Sequence, residues 1–406
     1  MSGQEAPAGQ LHATRASEAA MGKKATRGYE EEDSLVERRT YLQIPGPVNI
    51  PDAILRELSR PLINHRGAEF ESLLRECREG LSRVFQTGND MLMFPSSGSG
   101  GLESAVVNTL SPGDKVLVPV QGVFSERFAK IAASHGADVE IIQIPWGRAV
   151  DPDLVLERLR ADTAGTIKAV LIDHNETSTC VLNDVKSVGL GMREMGHPAL
   201  LIVDAVSSLA MADLRTDEWG LDVVITGSQK GLMLPPGMAI LSVSQRAWEA
   251  YSRSETPRWY WDWKQMKDAM DGGRVPYTPA TTLMFGLRVA LRMILDEGLE
   301  NIFRRHADLA RLFRQGARCM GLEVLPPEEE ASPTVTAVKM PPGLSLKELS
   351  GVLERDYGVV IGEGLGKLKD SVFRVGHMGP IHRTEILAVL SALEGALCYL
   401  CETAVN

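Results

Sequence analysis

Residues 91–104 read MLMFPSSGSGGLES. The first four are apolar and the run stops at Pro95 and Ser96, the length and punctuation of a short buried strand. Ser97, Gly98, Ser99, Gly100 and Gly101 follow, and Leu102–Leu110 then takes helical spacing. Strand, glycine-rich turn and helix are the unit from which a parallel α/β sheet is built. Bare amides in such a turn approach an anion closely, and the helix behind aims its N-terminal dipole at the same point. The stretch is neither a Walker A motif nor a dinucleotide fingerprint, because Gly-Lys-Ser/Thr is missing and the glycine intervals are wrong. Alone it leaves two readings open: a phosphate loop, or a tight turn that binds nothing.

The alternation continues outward. Apolar runs at 116–120, 139–144, 169–172, 200–203, 223–226 and 239–243 are separated by helical patterns at 124–133, 154–159 and 185–195. Near-continuous apolar runs fit strands covered on both faces. The expected fold class is α/β, with a mostly parallel sheet between helices. After residue 280 the pattern changes to helices at 282–296 and 299–319, a strand at 335–338, a helix opened by the capping box Ser345/Glu348, a strand at 373–375 and a last helix after Thr384. The expected organisation is a flexible tail over 1–40, a large domain over 41–295 and a smaller α/β domain over 296–406. Met21 in the tail offers an alternative start, and no secretory-signal core is present there.

The chain has 406 residues, roughly two to three domains at about 150 residues each. Basic residues number 43 against 53 acidic ones, a net charge of −10, which argues against nucleic acid or an anionic membrane as partner. Five cysteines, an odd number, read as reduced thiols and a cytoplasmic protein. No run approaches about 18 unbroken apolar residues, so no membrane span is expected. No histidine or cysteine cluster has metal-ligand spacing, so no metal is expected. His174 and His377 are expected to serve structural hydrogen bonds. Trp259, Trp261 and Trp263 are read as packing, and Cys398 and Cys401 as helical rather than redox-active.

In open α/β sheets ligands bind beyond the C-terminal strand ends. There the sequence offers the glycine stretch, Gln121 to Phe124, Asp173 to Thr179, Asp204, and Gly227-Ser-Gln-Lys-Gly231. Singly, Asp204 reads as a cap or ion-pair partner and Lys230 as a surface lysine. Together, in this order, they are what pyridoxal phosphate requires: amides for its phosphate, a carboxylate for its ring nitrogen and an amine for its aldehyde.

From about Ile44 to Val375 the sequence resembles the class V pyridoxal-phosphate aminotransferases of fold type I, in the serine–glyoxylate and alanine–glyoxylate group. The stretches that carry the resemblance are Ile44–Pro51, Ser97–Ser104, His174–Thr179, Val203–Ser208, Gly227–Gly231, Pro276–Pro279 and Phe373–His377. The resemblance implies that Lys230 is the Schiff-base lysine and Asp204 the partner of the ring nitrogen. It places Phe124 on one ring face, Val206 on the other, and Ser178 near the ring oxygen. It assigns the phosphate to Ser97, Gly98 and Ser99 with Gln229 beside them. Thr278, with Tyr277, resembles a phosphate contact supplied by the neighbouring subunit of a homodimer with active sites at its interface. Arg374 matches the arginine that clamps the substrate carboxylate, and Gly46 a backbone position lining that pocket. Many relatives carry glycine where this chain has Cys180.

The function so implied is transfer of an amino group from a small amino acid, serine or alanine, to glyoxylate. It yields glycine and a 2-oxo acid by a ping-pong mechanism. Aspartate or ureidoglycine as donor, a pyridoxal-phosphate lyase or desulfurase, and a non-catalytic binder are the rivals. Asn175-Glu176-Thr177 resembles the serine and aspartate users more than the ureidoglycine users.

Overall fold

The computed structural model describes residues 40–404; the tail expected over 1–40, with Met21, lies outside the described residues except for Thr40. After β1 (Tyr41–Gln43) come α1 (Asp52–Leu58) and α2 (Ala68–Phe85). The alternating stretch runs β2 (Asp90–Ser96), α3 (Gly98–Thr109), β3 (Lys115–Val120), α4 (Val123–Ser134), β4 (Asp138–Gln143), α5 (Pro152–Ala161) and β5 (Ile167–Asp173). A small hairpin, β6 (Asn175–Glu176) and β7 (Val181–Leu182), leads to α6 (Val185–Met195), β8 (Leu200–Asp204), α7 (Thr216–Trp219), β9 (Val223–Gly227) and β10 (Gly237–Val243). Helices α8 (Gln245–Tyr251), α9 (Trp263–Asp271), α10 (Thr281–Glu297) and α11 (Leu299–Cys319) follow. The C-terminal part holds β11 (Val335–Lys339), α12 (Leu346–Tyr357), β12 (Val359–Glu363), β13 (Val372–Gly376) and α13 (Arg383–Ala404).

Seven strands form the large sheet in the order β2-β10-β9-β8-β5-β3-β4. Only β10 runs against its neighbours. The link from Gly227 to Gly237 is too short for the crossover that a parallel neighbour requires. Strands β5, β8 and β9 are buried along almost their whole length, as their apolar runs predict. Chain order reverses between β3 and β5, so the connections leaving them diverge and open a crevice at the C-terminal strand ends. The parallel register of β5 and β8 sets Asp173 directly beside Asp204 at that edge.

A second sheet has the order β1-β12-β13-β11. Its edge strand is Tyr41–Gln43, which pairs in parallel with Val359–Ile361. The first described strand thus belongs to the C-terminal sheet, although the sequence reading places it in the large domain. Three residues carry too little pattern to name a partner more than three hundred positions away. The predicted capping box at Ser345 does not form: Ser345 precedes α12 but its side chain caps nothing. Burial of Leu346, Leu349, Val352 and Leu353 against the C-terminal core holds that helix instead. Among the described residues one helix, over Arg383–Glu402, is long and apolar enough to cross a membrane. Its Ile386, Val389, Leu393 and Ala396 are buried in the C-terminal core.

His377 performs the structural task expected of it. Its Nδ1 bonds the Pro333 carbonyl and its Nε2 the Thr336 hydroxyl, both at 2.9 Å. Burial, reinforced by the Arg314 charge, pulls its pKa down to about 3. The unfolded chain takes up this proton near pH 6.5 and the folded one does not, so His377 makes stability fall as pH falls through that window. The stability difference between wild type and His377→Gln should therefore shrink as pH falls below ~6.5, with a slope that approaches about 1.4 kcal/mol per pH unit near pH ~5. Urea unfolding of both proteins at several pH values measures it, and a pH-independent difference contradicts the burial argument.

Candidate active site

Lys230 lies three residues beyond β9, and its Nζ donates a hydrogen bond to the Pro45 carbonyl. The segment carrying Pro45 is strapped over the lysine: Val48 N–H donates to the Gln229 carbonyl at 3.2 Å. Gly46 in this strap has φ +97°, and a Cβ on it would stand 2.5 Å from Lys230 Cδ and 2.9 Å from Nζ. Only glycine satisfies both demands.

Burial is the largest influence on the ionisable groups here. Loss of hydration, aided by the Arg374 charge and opposed by Asp204, pulls the Lys230 amine down to about 8. Loss of hydration pushes Asp204 up to about 6, against the Val206 N–H that donates to its Oδ1 at 2.8 Å and against the charges of Lys230 and Arg127. Arg374 reaches the same pocket from β13. Its Nε donates to the Glu363 carbonyl at 2.8 Å and its Nη1 to the Thr177 carbonyl at 3.1 Å. Burial holds its guanidinium below the ordinary value.

The glycine stretch is not a loop before a helix: residues 98–101 are the first turn of α3, and Ser97 is its cap position. The unpaired amides of that turn face the crevice end of the helix, where an anion is favoured. A Cβ on Gly98 would sit 2.6 Å from Val206 Cγ2, so this turn and the residues after Asp204 close on each other. Gln229 buries a carboxamide oxygen with no partner among the described residues. A Cβ built on Gly227 would lie 2.8 Å from that oxygen and 3.5 Å from Gly98 N, which sets Gln229 beside the helix start. Phe124 is in the first turn of α4, and Ser178 Oγ accepts from Val123 N–H at 2.9 Å.

Thus Lys230, Asp204, Val206, Gln229, Gly46, Arg374, Ser178, Phe124 and the Ser97–Ser99 turn gather at one strand-end crevice. Tyr277 and Thr278 stand apart. The Tyr277 ring stacks on Tyr260 at 4.5 Å and its hydroxyl donates to the Tyr260 carbonyl, while Thr278 is exposed. The three tryptophans differ: Trp263 is in the core, Trp261 half-buried and Trp259 70% exposed. His174 is fully buried edge-on to Trp219. Cys180 is buried at φ +61°, a left-handed conformation that favours glycine.

Two residues escaped the sequence reading. Arg127 donates to Ser99 Oγ at 3.2 Å and lays its guanidinium over the Phe124 ring at 4.9 Å. Its signal was the i,i+3 spacing from Phe124 on one helix face. Glu176, which the sequence reading used only in comparing donors and gave no role in the site, is fully buried in the crevice wall.

These residues fit pyridoxal phosphate. A buried amine with a depressed pKa, a carboxylate in the same dry pocket, and the unpaired amides that open α3 answer its aldehyde, ring nitrogen and phosphate. On a mostly parallel sheet crossed at its C-terminal edge, they define a fold type I pyridoxal-phosphate enzyme. The chain belongs to the class V aminotransferases, whose family model matches residues 56–369. It is 40% identical over 353 residues to an L-aspartate–glyoxylate aminotransferase of Paracoccus denitrificans, covering 86% of this chain and 89% of that protein. It is 39% identical over 366 residues to a serine–glyoxylate aminotransferase of Methylorubrum extorquens, covering 88% and 91%. The crystal structure of an alanine–glyoxylate aminotransferase from Nostoc sp. matches with a TM-score of 0.84 at 31% identity, over 90% of this chain and 97% of that one.

The electrostatics predict how the apoenzyme takes up its cofactor. Only a neutral amine attacks an aldehyde. The rate at which pyridoxal phosphate attaches should therefore rise with pH through a midpoint near the Lys230 value of about 8. Asp204→Asn removes an attraction for the proton and should move the midpoint down. Arg374→Met removes a repulsion and should move it up. Stopped-flow absorbance across pH reads all three, and shifts of the opposite sign contradict the arrangement.

Proposed function

We propose that this aminotransferase takes the amino group of a small amino acid, serine or alanine first, and delivers it to glyoxylate in a ping-pong cycle. The observation that carries the reading is Arg374 in one dry pocket with Lys230. It marks a site for an α-amino acid rather than for a general amine. The three relatives described above differ in the donor that their names give and share glyoxylate as acceptor, which supports that acceptor more firmly than any donor.

When bound, pyridoxal phosphate supplies an aldehyde for amines and a cationic ring that withdraws electrons from the substrate Cα. Lys230 Nζ is then the group that carries the cofactor and moves a proton at Cα. An amine titrating near 8 is both a competent base and, once protonated, a competent acid around neutral pH. Asp204 would hold the proton on the ring nitrogen. Ser97, Gly98, Ser99 and Gln229 would hold the phosphate, Phe124 and Val206 the ring faces, and Ser178 the ring oxygen. Two of the five N–H donors of Arg374 are tied to backbone carbonyls, which fixes the fork, and the others remain to receive a carboxylate. Gly46 lets the strap lie against Lys230 without a side chain between them.

We also propose a homodimer. The exposure of Thr278, of Trp259 at 70% and of Leu62 at 73% supports cover by a second copy, which would bring Tyr277 and Thr278 to the partner's phosphate site. Five free cysteines support a reducing, cytoplasmic setting.

The test is a donor panel. Holoenzyme is mixed with serine, alanine, aspartate or ureidoglycine alone, the change in cofactor absorbance is followed, and glyoxylate is then added. Glycine and the matching 2-oxo acid are the expected products; release of ammonia without glycine indicates a lyase. Lys230→Ala should turn over negligibly, and Asp204→Asn should bind cofactor but react orders of magnitude more slowly. Arg374→Lys should weaken both half-reactions by roughly ten- to a hundredfold, because donor and glyoxylate present the same carboxylate to the same fork. If only one half-reaction responds, the two substrates do not share Arg374.

A further inference from the structure

Glu176 is buried between β5 and α4 and accepts five hydrogen bonds. Its Oε2 accepts from Phe124 N–H at 3.0 Å, Ser125 N–H at 2.9 Å and Ser125 Oγ at 2.9 Å. Its Oε1 accepts from Ser178 N–H at 2.9 Å and Ser178 Oγ at 2.7 Å. One carboxylate thereby caps the opening turn of α4 from a segment 52 residues away and holds the 175–179 segment to it. The opening residues of a helix have unpaired amides, and a buried carboxylate placed on them is held by charge-assisted bonds.

The neighbourhood is shaped around this contact. A Cβ on Gly122 would lie 2.5 Å from Glu176 Cγ and 2.5 Å from Ser178 Oγ, so the chain entering α4 leaves no room for a side chain there. Ser125 Oγ accepts from Gln121 N–H and Gly122 N–H, both at 3.1 Å, and its proton has Glu176 Oε2 at 2.9 Å and the Gly122 carbonyl at 3.2 Å as acceptors. Ser178 Oγ accepts from Val123 N–H and donates to Glu176, so its orientation is fixed as well. Phe124 and Ser178 are joined through this side chain, which adds to the direct bond from Val123 N–H to Ser178 Oγ.

We infer that Glu176 is the positioning residue of the cofactor site: it locks Phe124 and Ser178 into one rigid unit so that ring face and ring oxygen are met together. This rests on the reading of Phe124 and Ser178 as cofactor contacts. Where five donors converge, a glutamine has one acceptor oxygen and adds two donors of its own, so Glu176→Gln must break one set of bonds while keeping the size of the side chain.

The experiment titrates full-length apoenzyme with pyridoxal phosphate and records the dissociation constant and the visible circular dichroism of the bound cofactor. Glu176→Gln should raise the constant by roughly tenfold or more, the loss of a hydrogen bond to a charged group, and diminish the dichroic band. Gly122→Ala, whose methyl displaces the carboxylate without changing any titratable group, should do the same, and Ser125→Ala should do so more weakly. A folded Glu176→Gln with wild-type affinity and spectrum overturns the inference even if its melting temperature falls, since that is all a structural role predicts. If Glu176→Gln does not fold, wild-type affinity and spectrum in both Gly122→Ala and Ser125→Ala overturn it. Failure of the wild-type protein to bind pyridoxal phosphate at all would instead sink the assignment of Phe124 and Ser178.

Discussion

An amine stripped of water at the end of a strand sets the terms for its surroundings. A buried lysine is costly unless partners replace its hydration. Lys230 has a carbonyl from the strap at Pro45 and a carboxylate at Asp204, and it also has a second cation, Arg374, in the same pocket. The repulsion is part of the chemistry. It helps to keep the amine near 8, where the proton leaves and returns easily, rather than near its ordinary value. Asp204 feels the same dryness with the opposite sign and rises to about 6.

That pocket is assembled from both sheets. Lys230 and Asp204 come from strand ends of the large sheet, Arg374 from the small one. The strap between β1 and α1 joins them, because β1 pairs inside the C-terminal sheet and the next residues pass over Lys230. Close approach is what makes this possible. Gly46 lets the strap lie on the lysine, Gly98 lets the anion-facing turn meet Val206, and Gly122 lets Glu176 reach the start of α4.

The opposite wall is built on carboxylates. Asp173 and Asp204 are register partners on adjacent strands, and Glu176 follows three residues after Asp173. Burial beside Glu176 and Asp204 pushes Asp173 well above the usual carboxylate range. Glu176 is tied down by backbone and hydroxyl donors rather than by a cation.

Alternation of apolar runs with helical spacing was enough to determine the parallel sheet and its C-terminal edge, because a strand buried on both faces must be apolar throughout and a crossover must be helical. The order of the glycine stretch, Asp204 and Lys230 was enough to name the cofactor's chemistry, since each group answers a different part of one molecule. The sequence was silent on the partners of Tyr41–Gln43, on the failure of Ser345 to cap α12, and on the work of Glu176 and Arg127. Strand pairing over hundreds of residues leaves no local pattern, and a cap residue makes its bond only if packing leaves the side chain turned to the helix. The protonation preferences of Lys230 and Asp204 were likewise decided only by the tertiary structure, because they depend on how much water the folded chain removes and on which charges it brings near.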